Sequence, residues 1–228
     1  MNFWSMIATA VTLAVVVSAQ APSRNRAALV LPIPGAPLSL ETTEEYIAKN
    51  PDGTSISEIE KTTEYRDVAG RLRSEWEVRD AFGGPVIVII LTDPVEGFLA
   101  VLETSAKIAH RVQGPKTGSR VGFAVSMGPT GLVGVTGKTT RKTEDLAKQT
   151  IEGIEFEGTR TTTTSDEQPS LFAVDENWGS KELGLIGLVK HSGPDGETTS
   201  RIQNVDRTAP DPALFVIPAD YRIREMTP

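Results

Sequence analysis

Alternation of apolar and polar positions dominates this chain, and it favours β-strands over helices. The clearest example is RLRSEWEVR at 71–79. Its uncharged residues share one side of the predicted strand: Leu72, Ser74, Trp76 and Val78. The charged residues between them share the other side, a pattern typical of an antiparallel strand with one buried and one solvated face. We therefore expect Trp76 to point inward.

Turn residues divide the chain into hairpins. NPDG at 50–53 lies between two runs rich in Thr and Glu, and RDVAG at 66–70 precedes the strand of Trp76. Near the end, Gly193-Pro194-Asp195-Gly196 separates LIGLVKH at 185–191 from ETTSRIQNV at 197–205. Proline presets one backbone angle, aspartate bonds its own backbone and glycine accepts a positive φ, so a tight turn is expected at each place.

The run VIVIIL at 86–91 is apolar at both odd and even positions, which predicts a strand covered on both faces. Asp93 and Pro94 end it, and FLAVL at 98–102 returns as the second half of a hairpin. We expect this pair to be the most buried, with Asp93 as a turn former.

Helix is predicted to be a minor component. The best amphipathic stretch is TSAKIAHRV at 104–112, and EDLAKQT at 144–150 is expected to be a short helical or irregular lead into a strand. The 25 threonines suit the solvated face of a sheet. About ten strands joined by tight turns must curl to hide their edges, so the predicted fold is mainly β, a strongly curved antiparallel sheet.

The amino terminus predicts export. Residues 1–19 carry no charged side chain, and the apolar run at 6–17 is shorter than the roughly 20 residues that a spanning helix needs. We expect a signal peptide at 1–19, a mature chain that begins at Gln20, and a periplasmic or extracellular location. Because no Lys or Arg precedes the run, an uncleaved anchor is the alternative.

The remaining chain is divided into a flexible Pro-rich segment at 20–37 and a single β domain at 38–228. Cysteine is absent, which excludes a lipid-modified amino terminus, disulfides and thiolate metal ligands. The net charge is −7, yet five basic residues and no acid fall between 113 and 143. We expect this Gly-rich stretch to be a mobile loop kept solvated by its charges, in preference to a site for polyanions, and predict no nucleic-acid partner.

The stretch GPTGLVGVTGKTT at 128–140 resembles a nucleotide-binding P-loop. A P-loop needs a glycine five residues before the position of Gly137. Leu132 occupies that position, and the nearest glycines are Gly131 and Gly134. The spacing fails, so the backbone cannot wrap a phosphate, and no nucleotide is expected.

No other catalytic, cofactor or metal residues emerge from the sequence. His110 and His191 are far apart and have no carboxylate at helical metal spacing. The serine-hydrolase motif G-x-S-x-G is missing. Most carboxylates occupy alternate strand positions, where we expect them to face water. Two of them meeting across strands would still make a glycosidase pair.

Six segments together resemble a family of uncharacterised bacterial exported proteins that has no established activity. They are YRDVAGRLRSE (65–75), LTDPVEGFLAVLE (91–103), KQTIEGIEFEGTRTTTT (148–164), ENWGSKELG (176–184), GETTSRIQNV (196–205) and DPALFVIPADYRI (211–223). The closing pattern of Phe215, Pro218 and Tyr221 is similar to the carboxyl ends of LolA-like carriers and sensors, which implies a half-open β-barrel. The chain departs from that pattern by lacking amphipathic helices that close the barrel mouth.

The sequence favours an exported, non-enzymatic protein without cofactors. Its concave sheet face either binds an apolar or lipid-like ligand or receives a protein partner of the envelope. Two alternatives stay open: a packed structural or interaction protein of the cell envelope, and a hydrolase of envelope polymers that uses a carboxylate pair. Whether 86–91 and 98–102 face a cavity or a filled core separates the first two hypotheses.

Overall fold

The structure, a computed structural model, describes residues 29–50, 52–79, 82–114, 116, 138–168, 172–194 and 196–227. The predicted signal peptide and the start at Gln20 lie outside these residues. In the part of the chain that is described, no helix has the length and apolar character needed to cross a membrane.

Twelve strands form one sheet that is curved and is not closed on itself, as the sequence predicts. The strands are β1 (Leu38–Lys49), β2 (Ser55–Arg66), β3 (Leu72–Arg79), β4 (Pro85–Asp93), β5 (Phe98–Glu103), β6 (Ile108–Gln113), β7 (Thr139–Ile151), β8 (Ile154–Ser165), β9 (Phe172–Ser180), β10 (Leu185–Gly193), β11 (Gly196–Asp206) and β12 (Arg222–Met226). A short 3₁₀ turn at Pro212–Phe215 precedes β12.

The sheet consists of two meanders joined by one seam. Its order is β12-β6-β5-β4-β3-β2-β1-β11-β10-β9-β8-β7. We call β1–β6 the amino half and β7–β11 the carboxyl half. Strands β1 and β11 pair antiparallel to form the seam, and β12 adds to β6 in the sheet's one parallel pairing among the described strands. Neighbours within each half are joined by short turns, because consecutive antiparallel strands need only a hairpin.

The predicted turns are confirmed where the structure describes them. Gly53 has φ +85°, and the Thr54 amide donates to Asp52 Oδ1 over 2.9 Å. Asp93 Oδ1 accepts from the amides of Val95 and Glu96, each at 2.8 Å. Asp93 is therefore the turn former that the sequence indicates.

The best amphipathic stretch, at 104–112, and the segment 144–150, expected to be helical or irregular, both contribute to strands. Residues 104–107 form a turn, after which Ile108–Gln113 is β6. The stretch 144–150 belongs to β7, which pairs with β8 along most of its length. Cross-strand pairs such as Lys148 with Glu155 (2.8 Å) stabilise this arrangement, and tertiary pairing of this kind overrides weak local propensity.

The predicted loop at 113–143 is shorter than expected. Gln113 ends β6 and Thr139 begins β7, so the basic residues Arg141 and Lys142 lie in a strand. Residues 117–137 lie outside the described part of the chain. The sequence misplaces this boundary because a polar edge strand carries no apolar alternation.

The larger hydrophobic cluster joins strands of both halves. Its buried members are Leu29, Val30, Leu38, Leu40, Phe156, Trp178, Leu185, Ile186, Leu188 and Ile202. The first two belong to the segment predicted to be flexible. The structure instead pairs Val30 with Leu185, and the Ile186 amide donates to the Leu29 carbonyl over 2.8 Å. Residues preceding β1 thus complete the core.

Arg66 anchors that preceding segment. Its guanidinium is fully buried and donates to the carbonyl oxygens of Ala36 (2.6 Å), Leu31 (2.8 Å) and Leu183 (2.7 Å). Burial lowers the pKa of Arg66 to about 10, so the group keeps its charge at neutral pH. Backbone carbonyls alone satisfy the buried cation in these contacts, which ties the segment to the β9–β10 turn.

A smaller cluster lies on the opposite side of β4 from the cavity described below. It contains Ile89, Leu91, Ala100, Leu102 and Ala109, with Ile217 and Tyr221 packed against it. The carboxyl-terminal segment therefore covers this face before β12 pairs with β6. Arg73, predicted to face water, donates to the Leu214 carbonyl over 3.0 Å because this segment lies over it.

Candidate functional site

A cavity of about 240 Å³ opens on the concave face of the sheet. The residues that line it are Val30, Thr42, Glu44, Glu60, Thr62, Glu64, Leu72, Ser74, Trp76, Ile90, Thr92 and Ser200. All but Val30 come from β1–β4 and β11, and within each strand they alternate, so they share one sheet face. The expected grouping of Leu72, Ser74 and Trp76 on one side of β3 is confirmed.

The cavity lies where β2 and β3 separate. Among the described residues, the β2–β3 ladder runs from Arg66↔Leu72 to Thr62↔Trp76 and ends there. Residues 55–61 of β2 still pair with β1, and 77–79 of β3 still pair with β4. A fork results, with Trp76 at its base. This fork is the reason that the sheet face is not filled by side chains at this point.

Register places the lining residues in three rows across the strands. The middle row is Thr42, Thr62 and Trp76. On one side of it lies the row Ser200, Glu44 and Glu60, and on the other the row Glu64, Ser74 and Ile90. Neighbouring rows are two residues apart along each strand, about 6.6 Å, so the three glutamates flank the middle row on both sides.

Hydroxyl groups hold two of these carboxylates in place. Ser74 Oγ donates to Glu64 Oε2 over 2.6 Å, and Ser200 Oγ donates to Glu44 Oε2 over 2.9 Å. Lysine, arginine and histidine are absent from the lining residues. The described lining is therefore rich in carboxylates, two of which are held in position by neighbouring hydroxyl groups.

Thr42 presents an unsatisfied hydroxyl to this cavity. The residue is 9% exposed, and its Oγ1 has no hydrogen-bond partner among the described residues. A buried hydroxyl without a partner costs about 1–3 kcal/mol, so this atom is a point where a guest gains by bonding.

Apolar residues predicted to be covered are divided between the cavity and the core. Ile89 and Leu91 are buried in the smaller cluster, whereas Ile90 between them lines the cavity. The prediction that both faces of 86–91 are covered is therefore correct for Ile89 and Leu91. Ile87 on the same face is 42% exposed, and Ile90 on the other face borders the cavity.

The carboxylates of the cavity correct a sequence-based expectation. Most carboxylates are expected to face water from alternate strand positions, yet Glu44, Glu60 and Glu64 lie on the same face as Trp76. Glu44 lies opposite Glu60 in the β1–β2 register, so two carboxylates do meet across strands, as the glycosidase hypothesis requires. The alternation within one strand does not show which residues of the neighbouring strands lie opposite it.

The two histidines lie apart from the cavity, and each has a carboxylate neighbour that the sequence did not reveal. His191 Nδ1 lies 2.7 Å from Asp175 Oδ1 and His110 Nε2 lies 3.5 Å from Glu103 Oε2. The hydrogen bond to Asp175 raises the pKa of His191, against the opposing effect of burial. Within the described ranges, no three His, Cys, Asp or Glu side chains are placed to hold a metal ion.

The end of the glycine-rich motif also differs from a P-loop. Lys138 leads directly into β7, which begins at Thr139. In a P-loop the lysine and threonine open a helix, whose amino terminus faces the phosphate. The residues that precede Lys138 in the motif lie outside the described part of the chain.

No family model and no curated protein matches this sequence. Solved structures similar to it include a LolA superfamily protein from Nitrosomonas europaea, with TM-score 0.36 and 8% identity over 81% of this chain and 91% of that one. LprF from Mycobacterium bovis has TM-score 0.30 and 10% identity, covering 78% and 90%. A DUF1329 family protein from Desulfovibrio piger has TM-score 0.24 and 11% identity, covering 80% and 90%.

A LolA superfamily protein is thus among the solved structures that this chain is similar to. The roles of these proteins are their own, and the function proposed next is built on the residues of this chain.

Proposed function

We propose that this chain is an exported, non-enzymatic binding protein that takes part of an apolar or lipid-like ligand into the cavity on its concave face. The observation that carries the proposal is the cavity at the base of the β2–β3 fork, with Trp76 in its wall. A sheet that served only as a packed scaffold would fill this face, since protein interiors leave few voids larger than a water molecule.

Exposed apolar side chains beside the fork support a ligand that extends out of the cavity. Ile56 lies in the part of β2 that β3 leaves, on the same face as Glu60 and Thr62, and is 62% exposed. Phe82 in the turn between β3 and β4 is 98% exposed. These two large apolar residues, one on each arm of the fork, provide a surface for an alkyl chain.

Titration with tetradecanol tests this proposal. In the Trp4→Phe, Trp178→Phe variant Trp76 is the remaining tryptophan of the three, so its emission reports on the cavity alone. We expect a blue shift, protection from a soluble quencher and a higher unfolding temperature, because a ligand that binds only the folded state stabilises it. Native mass spectrometry of protein purified from its own envelope should show a bound ligand.

A matched control is the same background with Ile223→Ser. Ile223 is exposed on β12, away from the fork, so this variant should bind tetradecanol unchanged. Replacing Ile56 by serine should weaken binding. Absence of any response to tetradecanol in emission and in unfolding temperature would favour the packed structural protein instead.

The hydrolase alternative is favoured by the Glu44–Glu60 pair alone. A glycosidase requires one carboxyl group that stays protonated and one that is ionised. If the chain degraded envelope polymers, Glu60→Gln would abolish the release of soluble fragments. We expect no release from the unmodified protein, so the variant should make no difference.

A further inference from the structure

One row of residues on the concave face continues from the cavity to the edge of the sheet. It consists of Ile90 on β4, Val101 on β5, His110 on β6 and Arg224 on β12, each beside the next in the register. Since Ile90 lines the cavity, the whole row shares the face on which the cavity opens. Neighbouring strands are about 4.8 Å apart, so the backbone of Arg224 lies about 14 Å along the sheet from that of Ile90.

Half-buried apolar side chains accompany this row. Val101 belongs to it, and Leu99, Val112 and Met226 form the adjacent row, next to Thr92 in the cavity wall. These four apolar residues belong to neither of the two hydrophobic clusters. We call them the apolar strip. It extends the cavity wall toward β12 and offers partly exposed surface to an alkyl chain.

Two arginines lie at the far end of the apolar strip. Arg222 and Arg224 are exposed on β12, about 6.6 Å apart along the strand and on the same side of the sheet as Ile108 and His110. Their guanidinium groups make no hydrogen bond or ion pair with any residue that the structure describes. Guanidinium groups bind carboxylates and phosphates through paired N–H groups, so this edge is suited to an anion.

His110, beside Arg224, gives an independent indication of a ligand. The residue is 9% exposed, and its Nδ1 has no hydrogen-bond partner in the described part of the chain. Its Nε2 lies 3.5 Å from Oε2 of Glu103, the neighbouring acid on this face. Buried polar atoms normally have a partner, so a ligand that bonds to Nδ1 supplies one that the fold lacks. An imidazole nitrogen either donates to a carboxylate or accepts from a carboxylic acid.

The distribution of basic residues sets the orientation of such a ligand. The described lining of the cavity contains no Lys, Arg or His, so an anionic headgroup inside it would have no basic side chain to bond. At β12, the charges of Arg222 and Arg224 exceed that of the single neighbouring acid, Glu103. An anionic headgroup therefore gains most at β12, with its chain directed along the apolar strip toward the cavity.

We propose that the protein binds amphiphiles with an anionic headgroup, which lies at Arg222, Arg224 and His110 while the alkyl chain follows the apolar strip into the cavity. This inference rests on the proposed ligand-binding function and specifies its ligand class. The arginines stabilise the headgroup by charge, and Nδ1 of His110 gains its missing hydrogen bond. Burial of the chain supplies most of the affinity.

Three ligands of equal chain length test the headgroup: tetradecanoate, tetradecanol and tetradecylammonium, each below its micelle concentration. We expect tetradecanoate to bind at least tenfold more tightly than tetradecanol by calorimetry, since one hydrogen bond to a charged group changes Kd by about this factor. Tetradecylammonium should bind no more tightly than the alcohol. Added salt should weaken binding of tetradecanoate and leave that of tetradecanol nearly unchanged.

Acetate separates an amphiphile site from a site for free anions. It carries the same headgroup without the chain, so it should neither bind measurably at the concentrations used for tetradecanoate nor displace it. If acetate bound as tightly as tetradecanoate, the chain would have no part in recognition and the proposal would be wrong.

The decisive variant is Arg222→Gln, Arg224→Gln, which should remove the preference for tetradecanoate while retaining tetradecanol. Its matched control, Arg201→Gln, Arg207→Gln, makes the same change in net charge at exposed positions outside the cavity and β12. The control should keep the preference. His110→Phe, which keeps a ring and removes both nitrogens, should reduce the preference. Circular dichroism and the unfolding temperature establish that the variants are folded.

The outcomes separate this inference from the function on which it depends. Binding of tetradecanol without any preference for tetradecanoate would overturn the anionic site and leave a ligand-binding protein. Equal loss of preference in both double variants would mean that overall charge attracts the anion, which also overturns the site. An unchanged preference in His110→Phe would remove the headgroup from this row. Failure of all three long-chain ligands to bind would overturn the proposed function itself.

Discussion

The two described tryptophans occupy opposite kinds of surroundings in one sheet. Trp178 is 4% exposed, belongs to the larger cluster, and donates its indole N–H to the Ala147 carbonyl over 3.1 Å. Trp76 is half-buried and lines the cavity at the β2–β3 fork. The difference lies in the neighbouring strands: β8–β10 remain paired around Trp178, whereas β2 leaves β3 beside Trp76. Strands paired on both sides of the tryptophan accompany a filled core, and the loss of pairing on one side accompanies a cavity.

The largest expected effect separates the two residues directly. Trp178→Ala should lower the free energy of unfolding by about 3–5 kcal/mol, because it leaves a void in a packed cluster and an unsatisfied carbonyl. Trp76→Ala should lower the free energy of unfolding by only about 1 kcal/mol, because Trp76 is half-buried beside a cavity and its removal exposes less apolar surface. Urea denaturation measures both, and losses of equal size would contradict the comparison.

Packing around Trp178 can be tested from the neighbouring strand. A Cβ on Gly158 would lie 2.4 Å from Trp178 Nε1 and 2.9 Å from the Leu146 Cβ, so Gly158→Ala should cost about 1–3 kcal/mol. The matched control is Gly179→Ala in β9, where the nearest atom is 3.9 Å away. That variant should be neutral or slightly stabilising. If Gly158→Ala left the free energy of unfolding unchanged, the packing around Trp178 would be able to adjust to an added methyl group, which would contradict this prediction.

Two buried threonines sharpen the contrast between core and cavity. Thr42 and Thr163 both have Oγ1 atoms without a protein partner, and only Thr42 lines the cavity. Replacing either by valine removes an unsatisfied hydroxyl and should raise the free energy of unfolding by up to about 1 kcal/mol. Thr42→Val should also change the affinity for tetradecanol, because Thr42 lines the cavity, whereas Thr163→Val should not. Equal affinities in the two variants would place the ligand elsewhere.

The smallest expected effect is a pH dependence in the carboxyl half. The hydrogen bond to Asp175 raises the pKa of His191 in the folded protein. The pair therefore contributes its full stabilisation below the pKa of the unfolded state, about 6.5, and this contribution is lost as the pH rises through the folded pKa. The unmodified protein should therefore lose more stability than His191→Gln between pH 6 and 8. Denaturation of both proteins across this range gives the difference, and parallel curves would refute the linkage.

The turns and the alternating strands were predictable because their signals are local. Asp93 and Gly53 act through atoms two to four residues away, and the inward face of β3 follows from period two within one segment. Sequence alone therefore gives the class of fold and the orientation of Trp76.

The acidic cavity was not predictable in the same way. Glu44 and Glu60 belong to different strands and meet through the β1–β2 register, while Ser200 arrives from the far end of the chain. Register across a sheet depends on tertiary packing, and nothing in one strand specifies its neighbour. The one available signal was the matching parity of the acids in ETTEEYI and SEIEKTTEY on either side of a predicted hairpin.

The seam between β1 and β11 has a consequence for the order of folding. Within each meander, neighbouring strands are close in sequence, yet across the seam Glu44 meets Ser200, 156 residues away. Local hairpins close rapidly, whereas distant contacts form only after a large loss of chain entropy. Each meander can therefore begin to assemble around its own turns, and the seam is the slow step that unites them. Until it closes, Glu44 and Ser200 remain apart, so the cavity acquires its complete wall only when the two ends of the domain have met.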